Sequence, residues 1–167
     1  MPLCDTLLRC AEEPALYRPV WSEETLVEIH RTMLKFGYSA TKAELRVASM
    51  RSAFRDATIY LPPEAIEKAP ELPDPKDSHV LAVAINCGAD VIVTLNLRHF
   101  PPPIFEKLNM IVQSPDDFLS DLFHLRPQRV LDVLDGQARA MREERAALLR
   151  RLRQVVPNFV ELVSGAR

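Results

Sequence analysis

The chain has 167 residues, 47% of them apolar and 26% charged, with a formal net charge of -2. That is the length of one ordinary domain and a globular composition, which excludes a disordered chain; at this size roughly 70% of the unfolded surface is buried on folding, so no disulfide or metal staple is required. The near-neutral charge excludes a general attraction to nucleic acid, so any RNA or DNA contact must come from a local basic patch or from bound metal ions.

The three cysteines, Cys4, Cys10 and Cys87, are odd in number and form no C-x-x-C pair. A disulfide framework and a cysteine-rich zinc site are therefore not expected, and a reducing, cytoplasmic setting is. The opening Met-Pro-Leu-Cys-Asp has neither the basic nor the apolar region of a secretory signal. No apolar run approaches the ~20 residues that span a bilayer, so no membrane association is expected.

In chain order, Asp5 is placed to cap a short helix carrying Leu7, Leu8 and Ala11. Tyr17 to Trp21 reads as short and extended, with Pro19 confining it to an edge. Ser22 is a good N-cap for the next helix, with Glu23 and Glu24 in its first turn and Gly37 at its stop. Thr41-Lys-Ala-Glu44 has the form of a capping box. The proline-rich passage from Pro62 to Pro73 reads as a loop with one helical turn at most.

Asp74-Pro75-Lys76-Asp77 then starts a helix, with an N-cap acid, a proline at the first position and an acid at the third. Val80, Ala84 and Cys87 keep helical spacing, and Gly88 ends the run. Val91-Ile92-Val93 is a continuous β-branched run, the form taken by a parallel strand buried on both faces. Thr94-Leu95-Asn96 sits at its carboxyl end. Ile104 to Leu108 reads helical, Met110 to Val112 extended, and Ser114-Pro115-Asp116-Asp117 opens another helix. From Arg126 the pattern is helical only, with one helix starting at Pro127 and a longer one over Gln137 to Val156. The order predicts a three-layer α/β/α domain with a mostly parallel sheet over residues 1–125, and a C-terminal helical extension over 126–167 packed on it.

In such sheets ligands bind beyond the carboxyl ends of the strands. That points to Thr94 and Asn96, whose short polar side chains can bond a phosphate or equally well form a turn. Asp77, in the first turn of its helix, can hold a hard cation such as Mg²⁺, or serve as a helix cap, which is the commoner use of such an acid. Asp74 is the N-cap itself. Glu28 lies beside the apolar stripe of Leu26, Ile29 and Met33, either reaching a neighbouring helix end or remaining solvated and paired along its own helix. His30, His79, His99 and His124 form no zinc pattern and read as surface or packing residues. Arg139, Arg142, Arg145, Arg150, Arg151 and Arg153 interleave with Glu143 and Glu144, the pattern of a salt-bridged, solvated face before that of an RNA-facing stripe.

Leu72-Pro-Asp-Pro-Lys-Asp-Ser-His-Val-Leu-Ala-Val-Ala, followed by Ala89-Asp-Val-Ile-Val-Thr-Leu-Asn, resembles the second half of bacterial PIN domains. Trp21-Ser-Glu-Glu-Thr-Leu-Val-Glu-Ile resembles their glutamate-bearing helix, and Ser114-Pro-Asp-Asp-Phe-Leu a helix start in one subgroup. The resemblance covers roughly residues 3 to 125 and implies a PIN-type, metal-dependent ribonuclease. Toxins of toxin–antitoxin pairs that cleave single-stranded RNA with Mg²⁺ or Mn²⁺ are frequent in that family. By this resemblance Glu28 and Asp77 are the catalytic, metal-holding acids and Thr94 and Asn96 the substrate-binding pair. RNA, an antitoxin protein and a second copy of the chain are the implied partners.

The chain departs from the family pattern twice. The family begins with a strand ending in an aspartate, a segment with no counterpart before Met1-Pro2-Leu3, and Asp5 lies too far into the first helix to replace it. Asn96 is neutral where the family often has an acid. A cluster of three or four carboxylates would hold two cations; with Glu28 and Asp77 alone, one weak site is expected. Two rivals follow: a catalytically inactive PIN module that binds RNA or a protein partner, and an unrelated α/β domain whose acids are only caps.

Overall fold

The computed structural model describes residues 2–165. In chain order the elements are α1 (Pro2–Cys10), β1 (Trp21–Ser22), α2 (Glu23–Lys35), α3 (Ala40–Ala53), β2 (Thr58–Ile59), α4 (Pro63–Glu67), a 3₁₀ turn (Pro75–Asp77), α5 (Ser78–Cys87), β3 (Val91–Val93), a second 3₁₀ turn (Leu97–His99), α6 (Pro102–Leu108), β4 (Ile111–Gln113), α7 (Pro115–Leu125), α8 (Pro127–Ala140), α9 (Arg145–Leu152) and α10 (Pro157–Gly165). The chain is an α/β protein of short parallel strands, with helices continuing past residue 125.

The described strands form two separate pairs. β1 and β2 run parallel, with Trp21 opposite Thr58 and Ser22 opposite Ile59. In the other pair the Ile111 N–H donates to Asp90 at 2.9 Å and the Thr94 N–H to Gln113 at 3.0 Å, so both strands advance in the same direction. Val91–Val93 is less enclosed than its β-branched run suggests, since Ile92 alone of the three is buried. Among the described residues no helix is long and apolar enough to cross a membrane.

The chain divides into two compact units: Met1–Arg18, Val93–Leu95 and Gln113–Arg167 form one, and Pro19–Ile92 with Asn96–Val112 the other. The first unit is almost wholly helical, around Leu119, Leu134, Leu148, Leu152 and Phe159. Its buried polar groups are paired. The Thr6 hydroxyl meets Gln137 Oε1 at 2.8 Å, and Gln137 Nε2 donates to the Pro2 carbonyl at 3.0 Å. The Tyr17 hydroxyl donates to the Leu7 carbonyl at 2.8 Å, and burial pushes its pKa above the usual range. Asp116, buried, accepts the N–H groups of Asn158 at 3.1 Å and Phe159 at 2.8 Å and so anchors the start of α10.

Two expectations fail in this unit. Asp5 is not a cap; α1 begins at Pro2, and Asp5 pairs with Arg9 one turn on, at 3.1 Å. The helix expected over Gln137 to Val156 is broken. α8 ends at Ala140, Arg142 takes a left-handed φ of 54°, and the Glu143 N–H turns back to the Ala138 carbonyl at 3.0 Å. Arginine and glutamate favour helix on both sides of this reversal, so composition alone does not mark it. The basic face is salt-bridged: Arg145 meets Asp135 at 3.2 Å, and Arg151 pairs with Glu143.

The second unit packs Leu72, Leu81, Ala84, Ile92, Phe100, Phe105 and Met110 into one cluster. Trp21 stands edge-on to Phe54 at 5.8 Å, and its indole N–H donates to Thr58 at 3.0 Å, fixing the β1–β2 register. Ser22 caps α2, as expected. The cap of α3 is Ser39, not Thr41; its hydroxyl accepts the Lys42 N–H at 3.3 Å, two residues before the expected box. Asp74 caps the 3₁₀ turn leading into α5, and Gly88 ends α5 at a φ of 63°, where a side chain would be strained.

Replacing Asp116 by alanine removes the acceptor of the Asn158 and Phe159 N–H groups at the start of α10, the second of them buried. A loss of about 2–3 kcal/mol is expected in urea unfolding; an unchanged midpoint would show that this anchor contributes nothing. Burial also pushes the Cys10 thiol up to about 12. Native protein in mildly alkaline buffer should alkylate at the partly exposed Cys4 and Cys87 and spare Cys10, whereas equal labelling by mass spectrometry would mean that α1 opens freely.

Candidate metal centre

Glu28 and Asp77, the two acids singled out in the sequence, lie in the second unit, and each meets a histidine. Asp77 ends the 3₁₀ turn before α5. Its Oδ2 lies 2.8 Å from His99 Nδ1, and since an ionised carboxylate can only accept, the imidazole donates. Asp74, which accepts the Lys76 N–H at 3.0 Å, also places a carboxylate oxygen 3.9 Å from the same nitrogen. Asp74, Asp77 and His99 each offer a ligand atom, all within 4.8 Å of one another.

Local sequence explains this grouping. Pro75 restricts its own φ, and the Asp74 cap turns the chain tightly, so two acids three residues apart come to lie on one side. His99 is delivered by the second 3₁₀ turn, where its N–H donates to the Asn96 carbonyl at 2.9 Å. The two carboxylates of Asp74 and Asp77 suit a small divalent cation of the Mg²⁺ or Mn²⁺ type, while His99, donating through Nδ1, orients Asp77.

Glu28, in the second turn of α2, extends toward α5. Its Oε1 lies 3.6 Å from Nε2 of His79, the second residue of α5, while its side chain remains 52% exposed. The other nitrogen of His79 lies 2.7 Å from the Ser22 hydroxyl. Ser22 thus ends β1, caps α2 through the Thr25 N–H at 3.1 Å, and bonds α5. Asn96, exposed, precedes the turn that carries His99. Thr94 belongs to the first unit, where its N–H pairs with Gln113.

Asp74, His79 and His99 were read in the sequence as a cap and as surface or packing residues. The cap reading holds for Asp74, which also stands beside His99. No spacing motif links His99 to Asp77, because chain reversal, not helical periodicity, joins them. For His79 there was a usable signal: a histidine in an otherwise apolar helix start must either reach solvent or find a buried partner.

A family model described as PIN domain matches residues 3–98, more than half of the chain, and the chain belongs to that family. Over 65 residues it is 42% identical to a Mycobacterium tuberculosis protein named "Putative ribonuclease VapC50", a match covering 39% of this chain and 38% of that relative's length. No solved structure matches the chain.

Ser22 and Ser39 both cap helices, but only Ser22 also bonds a buried histidine. Ser22→Ala is therefore expected to destabilise the protein by about 1–3 kcal/mol more than Ser39→Ala in urea unfolding. Equal losses would mean that the bond to His79 contributes nothing.

Proposed function

We propose that this protein is a PIN-type ribonuclease, the toxin-like component of a toxin–antitoxin pair, which cleaves single-stranded RNA with Mg²⁺ or Mn²⁺ in the cytoplasm. The observation that carries this reading is the cluster of Asp77 with Asp74 and His99, lying in the second half of a PIN domain. The printed name of the Mycobacterium tuberculosis relative, a ribonuclease, supports the substrate class. Residues 1–125 would supply the PIN-like domain and 126–167 its helical extension; an antitoxin protein and a second copy of the chain are the proposed protein partners.

Asp77 and Glu28 would hold the cation, with Asp74 and His99 beside Asp77. When bound, such a cation supplies Lewis-acid stabilisation of the charge that develops on the phosphate oxygens. The protein's own part is positioning. His99 fixes the rotamer of Asp77 by donating to one of its oxygens. Thr94 and Asn96 would bind phosphate oxygens through a hydroxyl and an amide. With an overall charge of -2, the chain gives RNA little general attraction, so affinity would depend on this local site. The neutral Asn96 favours a second reading, a catalytically inactive PIN module that binds RNA or a protein partner.

Asp77→Asn is expected to abolish Mn²⁺-dependent cleavage of a single-stranded RNA while leaving the thermal midpoint nearly unchanged, because Asp77 makes no side-chain cap bond to α5 and the asparagine oxygen can still accept from His99. Cleavage that survives both a chelator and this substitution would contradict the metal mechanism. A wild-type chain that binds RNA without cutting it would favour the second reading.

A further inference from the structure

His79 is 7% exposed and lies at the start of a helix whose next turn, Leu81 to Ala84, is buried and apolar. A buried imidazole in such surroundings requires a partner on each nitrogen. Nδ1 has one in Ser22 Oγ, at 2.7 Å. Nε2 is buried with no hydrogen-bond partner, and the carboxylate it meets is Glu28, with Oε1 3.6 Å away. That is just beyond the ~3.2 Å reach of an N–H···O bond.

The Glu28 carboxylate favours one tautomer. Ser22 Oγ accepts the Thr25 N–H and lies 3.1 Å from Thr25 Oγ1 as well as 2.7 Å from Nδ1, so it can bond either form of the ring. With the ring's proton on Nε2, that N–H faces an acceptor-only carboxylate. The opposite tautomer would set the Nε2 lone pair against carboxylate lone pairs in a buried place, which is repulsive.

We propose that His79 is a positioning residue: anchored by Ser22 through Nδ1, it directs an Nε2–H at the Glu28 carboxylate and holds that carboxylate ready for a divalent cation. The proposal rests on the reading of Glu28 as a cation-holding acid. It gives the half-exposed Glu28 a fixed point inside the protein, so that fewer rotamers must be given up when a cation binds. Partners of this kind, bonded to a ligating group from behind, typically change metal affinity by about 10–100-fold when removed.

The test uses the full chain and Mn²⁺ alone. Long-range ¹H–¹⁵N NMR of the metal-free protein should show His79 as the Nε2–H tautomer; an Nδ1–H tautomer would overturn the proposal without reference to any metal. Mn²⁺ affinity, followed by electron paramagnetic resonance, should fall at least about tenfold in His79→Asn, which keeps a group near Ser22 but loses the one facing Glu28. His79→Gln, whose amide nitrogen reaches the place of Nε2, should recover most of that loss. Unaltered affinity in His79→Asn beside weakened binding in Glu28→Gln would overturn the role of His79 and leave the metal centre standing. Unaltered affinity in Glu28→Gln would overturn the metal-centre reading itself and the proposal with it. His79→Gln as weak as His79→Asn would reduce His79 to a packing residue. Should His79→Asn not fold, the tautomer and the His79→Gln affinity decide.

Discussion

The hydroxyl of Ser22 is the point on which the second unit turns. It sits where β1 ends and α2 begins, accepts the Thr25 N–H, and lies 2.7 Å from the buried ring of His79 on α5. One small polar group therefore meets two demands that burial makes costly to leave unmet: an orphan N–H at a helix start, and an imidazole nitrogen shut away from water. Because Ser22 is also half of the β1–β2 pairing, with Ile59 opposite it, the strand register, the entry of α2 and the placement of α5 are coupled. Glu28 lies on α2, and Asp77 ends the turn that leads into α5.

The acids of the proposed metal centre pose an electrostatic problem that small local devices relieve. Two acids near one another repel, and the repulsion is relieved either by a cation or by hydrogen-bond donors. Asp74 accepts the Lys76 N–H with one oxygen, and Asp77 accepts a hydrogen bond from His99 Nδ1. These bonds keep the pair compact while leaving carboxylate oxygens able to serve as ligands. The first unit shows the contrasting use of an acid: both oxygens of Asp116 are engaged by backbone N–H groups, which ties α7 to α10 and gives that carboxylate a purely structural role.

Much of the fold was legible because local chemistry governed it. Ser22, Gly37, Asp74-Pro75 and Gly88 punctuate the chain where the rules for helix ends place them, and the strand after Gly88 followed from its β-branched run. The misreadings share a cause. Ser39 outcompeted Thr41 as a cap, Asp5 fell inside its helix, and the turn at Arg142 broke an unbroken helical composition; in each case several residues were locally acceptable and packing chose among them. Within the site, Asp77 and Glu28 stood out through the family resemblance. His99 and His79 did not, because their partners come from distant segments, 22 and 57 residues away. Long-range pairing of that kind leaves no period in the sequence.

We propose that Glu28 and Asp77, with Asp74 and His99 beside Asp77, hold one divalent cation. The most direct measurement is paramagnetic broadening of assigned amide signals as Mn²⁺ is added in substoichiometric amounts. The account predicts that signals from the Asp74–His79 stretch, from His99 and from the Glu28 turn of α2 broaden first and together. Broadening centred on the acidic surface of α7 and α10, around Asp117 and Glu161, or spread evenly over the chain, would contradict it.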